Sequence, residues 1–226
     1  MKKTSLILLL VMTTTALISQ NDKPSIAVRG EGVVRVIPDE VTINIRVEHT
    51  GENTKDLKSQ NDAVVKQILQ YVKKAGIADK DVRTEYLNLN KVYDYNSKTY
   101  AFAANQALSI KLRDLKKYEE LMKGLLETGL NRIDGVTFSS SNKDRLESEA
   151  RKKAVASAKM KAEEYASVLN QSVGKAVSIS EISGGNVPQP MYKMAAMADM
   201  SSDDGATIAP GEMEIRTSVN VVFELK

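Results

Sequence analysis

The sequence contains no cysteine, no tryptophan and a single histidine, His49, among its 226 residues. Without cysteine the chain forms no disulfide, carries no lipid on a thiol and offers no thiolate to a metal ion. Nucleophilic sites commonly pair serine or cysteine with histidine, so any such pair would have to use His49. This residue follows a strand-like segment, where we expect an exposed ring. The lack of cysteine and the single histidine argue against nucleophilic catalysis. Without disulfides, the folded chain must be stabilised by a hydrophobic core or by contacts between subunits.

An excess of charge of one sign is also absent from the sequence. The chain has 32 Lys and Arg against 29 Asp and Glu, and two of the lysines lie within the first 20 positions. Without that segment, 30 basic and 29 acidic side chains leave a formal charge of +1. We therefore expect no nucleic-acid partner. Adjacent carboxylates such as Glu119 and Glu120 diverge on a helix and form no acid–base pair. The sequence predicts no enzymatic activity, no catalytic residues and no cofactor.

The first 20 residues have the layout of a secretory signal peptide. Two lysines follow Met1, residues 5–18 are uncharged and mostly apolar, and a polar stretch begins at Ser19. The apolar stretch is shorter than the roughly 20 residues that a membrane-spanning helix needs. We assign residues 1–20 to the signal peptide and predict a periplasmic protein, with outer-membrane association or secretion as alternatives. We expect no integral membrane span after cleavage, whose position the sequence leaves open.

Two glycines one residue apart, Gly30 and Gly32, have the spacing with which many phosphate-binding loops begin. Such a loop needs a helix directly after the glycines, because the helix N-terminus faces the anion. Here the β-branched run 33–37 follows, and it favours a strand. We therefore predict no nucleotide site. We expect the glycines to bend or bulge the first strand ahead of Pro38.

Residues 41–140 contain strand-like and helix-like segments in a recognisable order. The predicted segments are strand 41–48, helix 53–75, strands 82–93 and 100–112, helix 114–129 with Asp114 as its cap, and a short strand at Val136 and Phe138. This order is the split βαβ pattern of a ferredoxin-like layer, in which helices cover one face of an antiparallel sheet. With a third helix after it, the sequence predicts an α+β fold with three main helices.

The third predicted helix covers about residues 142–170 and carries alanine at every fourth position from Ala150 to Ala166. Small side chains let a helix approach a sheet or another helix closely. We expect this face to pack on the chain's own domain, and helix-to-helix assembly with another subunit is the alternative.

The C-terminal segment 213–225 has an apolar residue at every second position except Thr217. Strict alternation predicts a half-buried strand. We expect it to pair with the N-terminal strand and to complete the sheet begun at Ile26, with Phe223 in the core. A shorter strand is predicted at 176–182.

One long segment, residues 184–211, lacks any sustained period and contains three of the five prolines. We predict a long flexible loop here, and loops of this length are usually functional or disordered. Within it, methionine recurs at every third position: Met191, Met194, Met197 and Met200. Thioethers are soft ligands that suit Cu(I), so these residues form the one candidate metal site. An adaptable contact surface for a partner chain is the competing interpretation.

Four stretches together resemble the SIMPL-domain family of bacterial envelope proteins. They are residues 26–47, the hairpin sequences 81–95 with 99–112, residues 149–181, and residues 208–225. They stand in the family's order and cover nearly all of the chain after the signal peptide, from residue 24 to 226. The methionines of the long loop are a departure, since relatives usually carry proline and alanine there.

The resemblance implies an α+β fold, export to the periplasm or outer membrane, and no established catalytic residues. It also implies assembly into homo-oligomers, which are large and ring-like in some relatives, and a loose link to oxidative-stress defence. We therefore expect a non-enzymatic envelope protein that acts through self-association and contacts with an unidentified envelope protein partner. Binding of copper or a small ligand by the methionine-rich loop is the alternative.

Overall fold

The computed structural model describes residues 23–95, 98–182 and 208–226. The predicted signal peptide, residues 1–20, lies outside the described residues. So does the predicted loop 184–211 except for its last four positions, and with it the four methionines of the candidate metal site.

The described chain folds into three α-helices and seven strands, in the order β1, β2, α1, β3, β4, α2, β5, α3, β6, β7. The helices are α1 (Thr54–Lys74), α2 (Tyr118–Glu127) and α3 (Lys143–Val168). The strands are β1 (Ser25–Val36), β2 (Glu40–Gly51), β3 (Val82–Asp94), β4 (Thr99–Leu112), β5 (Arg132–Ser139), β6 (Val173–Glu181) and β7 (Met213–Leu225). The predicted α+β class with three main helices is confirmed.

Strands β2 to β5 form an antiparallel sheet with the order β3-β4-β2-β5. In chain order this unit reads β2-α1-β3-β4-α2-β5, which is the ferredoxin-like arrangement that the sequence predicts. The helices cover one face, because alternate residues of β2 are fully buried against them while the residues between are polar. The core residues of this unit include Val41, Ile43, Ile45, Val47, Ile68, Val72, Leu108, Ile110, Leu121 and Leu125.

Local signals set the ends of the helices in this unit. The Asn53 side chain accepts a hydrogen bond from the Lys55 amide at 3.0 Å, which caps the start of α1. Gly76 and Gly129 follow α1 and α2 with φ angles of +81° and +85°, which glycine adopts without strain. The sequence predicts Asp114 as the cap of α2. In the structure its side chain instead caps a short 3₁₀ helix, Leu115–Lys117, which precedes α2.

The second sheet has the order β1-β7-β6, so the predicted pairing of the C-terminal strand with the N-terminal strand is confirmed. Alternate residues of β7 from Met213 to Phe223 are buried. The one polar member of this row, Thr217, is 7% exposed, and the predicted inward position Leu225 is only half-buried at the strand end. Val28, Val219, Val221 and Phe223 form a core with the alanines of α3.

The bend or bulge expected at Gly30 and Gly32 stays a prediction, and both residues lie within one strand, β1, from Ser25 to Val36. Both glycines lie against α3. A Cβ atom on Gly30 would be 2.0 Å from the carbonyl oxygen of Ala154, and one on Gly32 would be 2.0 Å from that of Ala150. The glycines and the alanine row therefore let the helix backbone lie directly on the strand. The alanines at every fourth position are at most 1% exposed, so they pack within their own chain as expected: Ala150, Ala154, Ala158, Ala162 and Ala166.

Candidate interaction surface

The edge strand β3 carries the most distinctive exposed surface of the four-stranded sheet. Its described neighbour in that sheet is β4 alone, and a bulge interrupts their register between Thr84 and Tyr86. Beyond the bulge, Leu87 lies opposite Gln106 and Leu89 lies opposite Ala104. These positions of β4 share the face of Leu108 and Ile110, which the helices cover, because strand side chains alternate. The two leucines therefore continue the helix-covered face towards the edge of the sheet.

The leucines on this face are only half covered. Leu87 is 51% exposed and Leu89 is 46% exposed, whereas Leu108 on the neighbouring strand is 1% exposed. An apolar row on an edge strand combines uncovered side chains with unpaired backbone groups, and both favour association with another chain. The sequence identifies the strand, but its position at the edge depends on the order in which the strands pair.

Three tyrosines cluster where β3 and β4 approach their connecting turn. The ring of Tyr93 packs edge-to-face against Tyr95 at 5.0 Å and against Tyr100 at 5.2 Å between centroids. The Nζ of Lys91 lies 4.4 Å from the centroid of Tyr100. All three rings remain substantially exposed. Tyrosine is enriched at protein interfaces because its ring is apolar and its hydroxyl tolerates water. With the leucines of β3 this cluster forms what we call the β3 surface: Leu87, Leu89, Tyr93, Tyr95 and Tyr100.

The opposite face of the same sheet carries charged side chains that pair with one another. Arg46 donates to Asp134 at 2.9 Å and to Glu48 at 3.2 Å, and it lies 5.7 Å from the ring centroid of Tyr86. Arg132 contacts the same two carboxylates. Because each of these carboxylates accepts from two arginines, this face is poorly suited to supply a general base.

A second ionic cluster lies at the other end of β2. The buried carboxylate of Glu40 accepts from Lys111 at 2.6 Å and from Arg113 at 2.7 Å. Arg113 also donates two hydrogen bonds to Asp81, and these bonds hold the pKa of Asp81 below its usual range. The same contact with Asp81 raises the pKa of Arg113. These contacts form a structural tie between β2, β4 and the start of β3.

The single histidine lies on the helix-facing side of β2, opposite Ala104 of β4. Its ring is half-buried rather than exposed, and Nδ1 is buried without a hydrogen-bond partner. The sequence also does not indicate Asn61, which is 1% exposed on α1 and donates to the Val47 carbonyl oxygen at 2.9 Å. Within the described residues no group of three or more His, Asp or Glu side chains could hold a metal ion.

The SIMPL family model, described as a protein of unknown function (DUF541), matches residues 26–223. The chain belongs to the SIMPL family. It is 30% identical over 211 residues to the 26 kDa periplasmic immunogenic protein of Brucella melitensis biotype 1, covering 89% of this chain and 84% of the relative. It is 29% identical over 210 residues to the uncharacterized protein YggE of Escherichia coli K12, covering 91% and 85%.

These similarities confirm the family resemblance and the location predicted from the sequence. The Brucella protein is named as periplasmic, and this SIMPL protein is likewise a periplasmic protein. None of the helices in the described ranges has the length and apolar character needed to cross a membrane. The relatives belong to a family of unknown function, and no enzymatic family is indicated.

Proposed function

We propose that this SIMPL protein acts in the periplasm as a non-enzymatic protein that associates with copies of itself and with another envelope protein. The observation that carries the proposal is the β3 surface, where two half-exposed leucines lie on an edge strand next to exposed tyrosines in edge-to-face contact. An edge with apolar side chains is a template for association unless another chain covers it. A role in envelope or oxidative-stress defence rests on the family resemblance alone.

The electrostatics of the described residues favour binding over catalysis. The carboxylates at Glu48 and Asp134 each contact two arginines, and the buried carboxylate of Glu40 contacts a lysine and an arginine. Proton transfer in a catalytic step needs a group that is placed beside a substrate and can change its charge. Side chains held in ion pairs instead stabilise one arrangement of the sheet. Because a rigid sheet loses little conformational entropy on binding, its edge can associate with another chain at a low cost.

Replacing Leu89 with lysine is expected to weaken self-association at least about tenfold. The reason is that the lysine ammonium group would lose its hydration when the two chains come into contact. The measurement is multi-angle light scattering of the signal-free protein over a dilution series. Ile133→Lys is the matched control, since Ile133 is 41% exposed on β5, at the other edge of the same sheet.

Two results would contradict the proposal in different ways. A native protein that is strictly monomeric at tens of micromolar would remove self-association. A native oligomer that Ile133→Lys weakens as much as Leu89→Lys does would remove the β3 surface as its site.

Soft-metal binding is a second candidate, favoured by the spacing of Met191, Met194, Met197 and Met200 in the sequence. Several thioethers within ten residues offer the soft ligands that Cu(I) prefers. We expect Cu(I), titrated under reducing conditions, to bind the native chain and to bind more weakly when the four methionines are changed to leucine. Leucine keeps the apolar volume, so the comparison isolates sulfur. Equal binding by both chains would remove this candidate.

A further inference from the structure

The backbone of β3 offers an outer row of hydrogen-bonding groups along its length. In an antiparallel ladder successive residues of an edge strand direct their N–H and C=O groups alternately towards the neighbour and away from it. β4 lies on one side of β3, and no described strand of this sheet lies on the other. Residues 86–94 continue in unbroken register with β4 after the bulge, which makes a regular edge of nine residues.

This stretch has few of the features that protect edge strands from pairing. Proline is absent from β3, and the only bulge precedes the regular stretch. Between Tyr86 and Tyr93 the only charged residue is Lys91. Natural edge strands are usually shortened, bulged or charged where pairing must be avoided. The edge is therefore suited to pair with an added strand whose side chains match its alternating apolar and polar residues.

We propose that β3 pairs antiparallel with β3 of a second copy of this chain, across a two-fold axis at Asn88. The inference rests on the self-association proposed above and specifies its geometry. The two four-stranded sheets would join into one eight-stranded sheet with the helices of both copies on the same side. Such a contact is self-complementary, because a two-fold axis presents the same strand to itself.

The pattern of side chains favours this register. With the axis at Asn88, Leu87 of each copy lies opposite Leu89 of the other, on the helix-covered face. Counting the bulged residue Glu85 as unpaired, as it is against β4, Thr84 then lies opposite Lys91 of the second copy. Side chains from the same face thus meet from residue 82 to residue 93, and no like charges are opposed within that range.

Shifted registers match less well. An axis at Leu89 would put Leu87 opposite Lys91 of the second copy, and an axis at Asn90 would put Leu89 opposite that lysine. An axis at Lys91 would oppose two ammonium groups, which is destabilising. Among these registers only the axis at Asn88 joins both leucines to leucines. A second copy therefore supplies a matching strand, since in this register the two leucines of one copy meet the two leucines of the other.

Single cysteines test this geometry cleanly, because the native chain contains no cysteine. In Asn88→Cys the two thiols would lie on directly opposite residues, whose Cα atoms are about 4.5–5.5 Å apart, within the range for a disulfide. In Asn90→Cys, the matched control, they would be four residues apart along the strands, about 13 Å, which is too far. Both residues are exposed polar positions on the same strand, so neither change should disturb folding.

Under mild oxidation at a protein concentration where light scattering shows oligomers, we expect Asn88→Cys to form a covalent dimer at least about tenfold faster than Asn90→Cys. A bismaleimide too short to span the control distance should give the same preference, independently of disulfide geometry. Cross-linking of Asn90→Cys at an equal or higher rate would overturn the strand pairing at Asn88 while leaving self-association intact. A protein that light scattering shows to be monomeric would overturn both.

Discussion

Gly30→Ala is expected to destabilise the protein by more than about 3 kcal/mol, the upper end of the usual cost of overpacking a core. The added Cβ would lie 2.0 Å from the carbonyl oxygen of Ala154 and 2.7 Å from the amide nitrogen of Ala158. These are backbone atoms of α3, so they cannot move aside as the end of a flexible side chain can. Relief requires the whole helix to move off β1, which would open the alanine contacts along its length.

Urea unfolding monitored by circular dichroism measures this effect, and Gly135→Ala provides the control. Gly135 also lies in a strand, β5, but a Cβ there meets nothing within 4 Å. Its replacement should change the free energy of unfolding by less than about 1 kcal/mol, since alanine mainly restricts the unfolded chain. Similar unfolding midpoints for the two variants would mean that the close approach of α3 to β1 is incorrect.

Phe223→Ala is expected to cost about 3–5 kcal/mol, which is a large share of the roughly 5–15 kcal/mol that holds a domain folded. Phe223 is 6% exposed in β7 and packs in the core that includes Ala158, Ala162 and Val221. Because this core consists largely of small side chains, few neighbours can fill the space that the ring leaves. We expect a markedly lower Tm and, because β7 is the central strand of its sheet, impaired assembly.

Glu224→Ala is the matched control, one residue further along the same strand. Glu224 faces the other side of β7 and pairs with the exposed Lys23 at 3.1 Å. Exposed ion pairs contribute about 0–1 kcal/mol, so the change in unfolding free energy should stay within roughly 0.5 kcal/mol. Equal melting curves for the two variants would contradict the burial of Phe223 and the placement of β7 at the centre of the sheet.

The candidate site was harder to predict than the elements that carry it. The alternation of β3 and β4 predicts a hairpin with nearly the observed bounds, because side-chain period is a local property. Whether Leu87 and Leu89 are covered depends on which strand lies beyond β3, and pairing order is a long-range property. The two leucines have the same local pattern as buried residues of β2, and only the edge position leaves them half exposed.

Gly30 and Gly32 illustrate the same division between local and distant information. Their sequence context argues against a phosphate loop, because no helix follows them and β-branched residues do. It suggests a bend in the strand as their purpose. The structure adds a requirement that this context does not indicate: contact with Ala150, Ala154 and Ala158, more than a hundred positions away, where a Cβ has no room. The spacing of the glycines and the spacing of the alanines are each visible in the sequence, but their match is a property of the packed pair.

The residue pattern alone establishes the class of the fold, the succession of helices and strands from β2 to β5, and the alternating burial of β7. Periodicity, capping residues and alternation encode these features because they depend on neighbours within a few positions. Three other features come from packing: which strands lie at sheet edges, the need for glycine at position 30, and the ionic cluster of Glu40, Lys111, Arg113 and Asp81. Those features join residues far apart in the chain, and their energies arise only when packing brings the residues together and removes water between them.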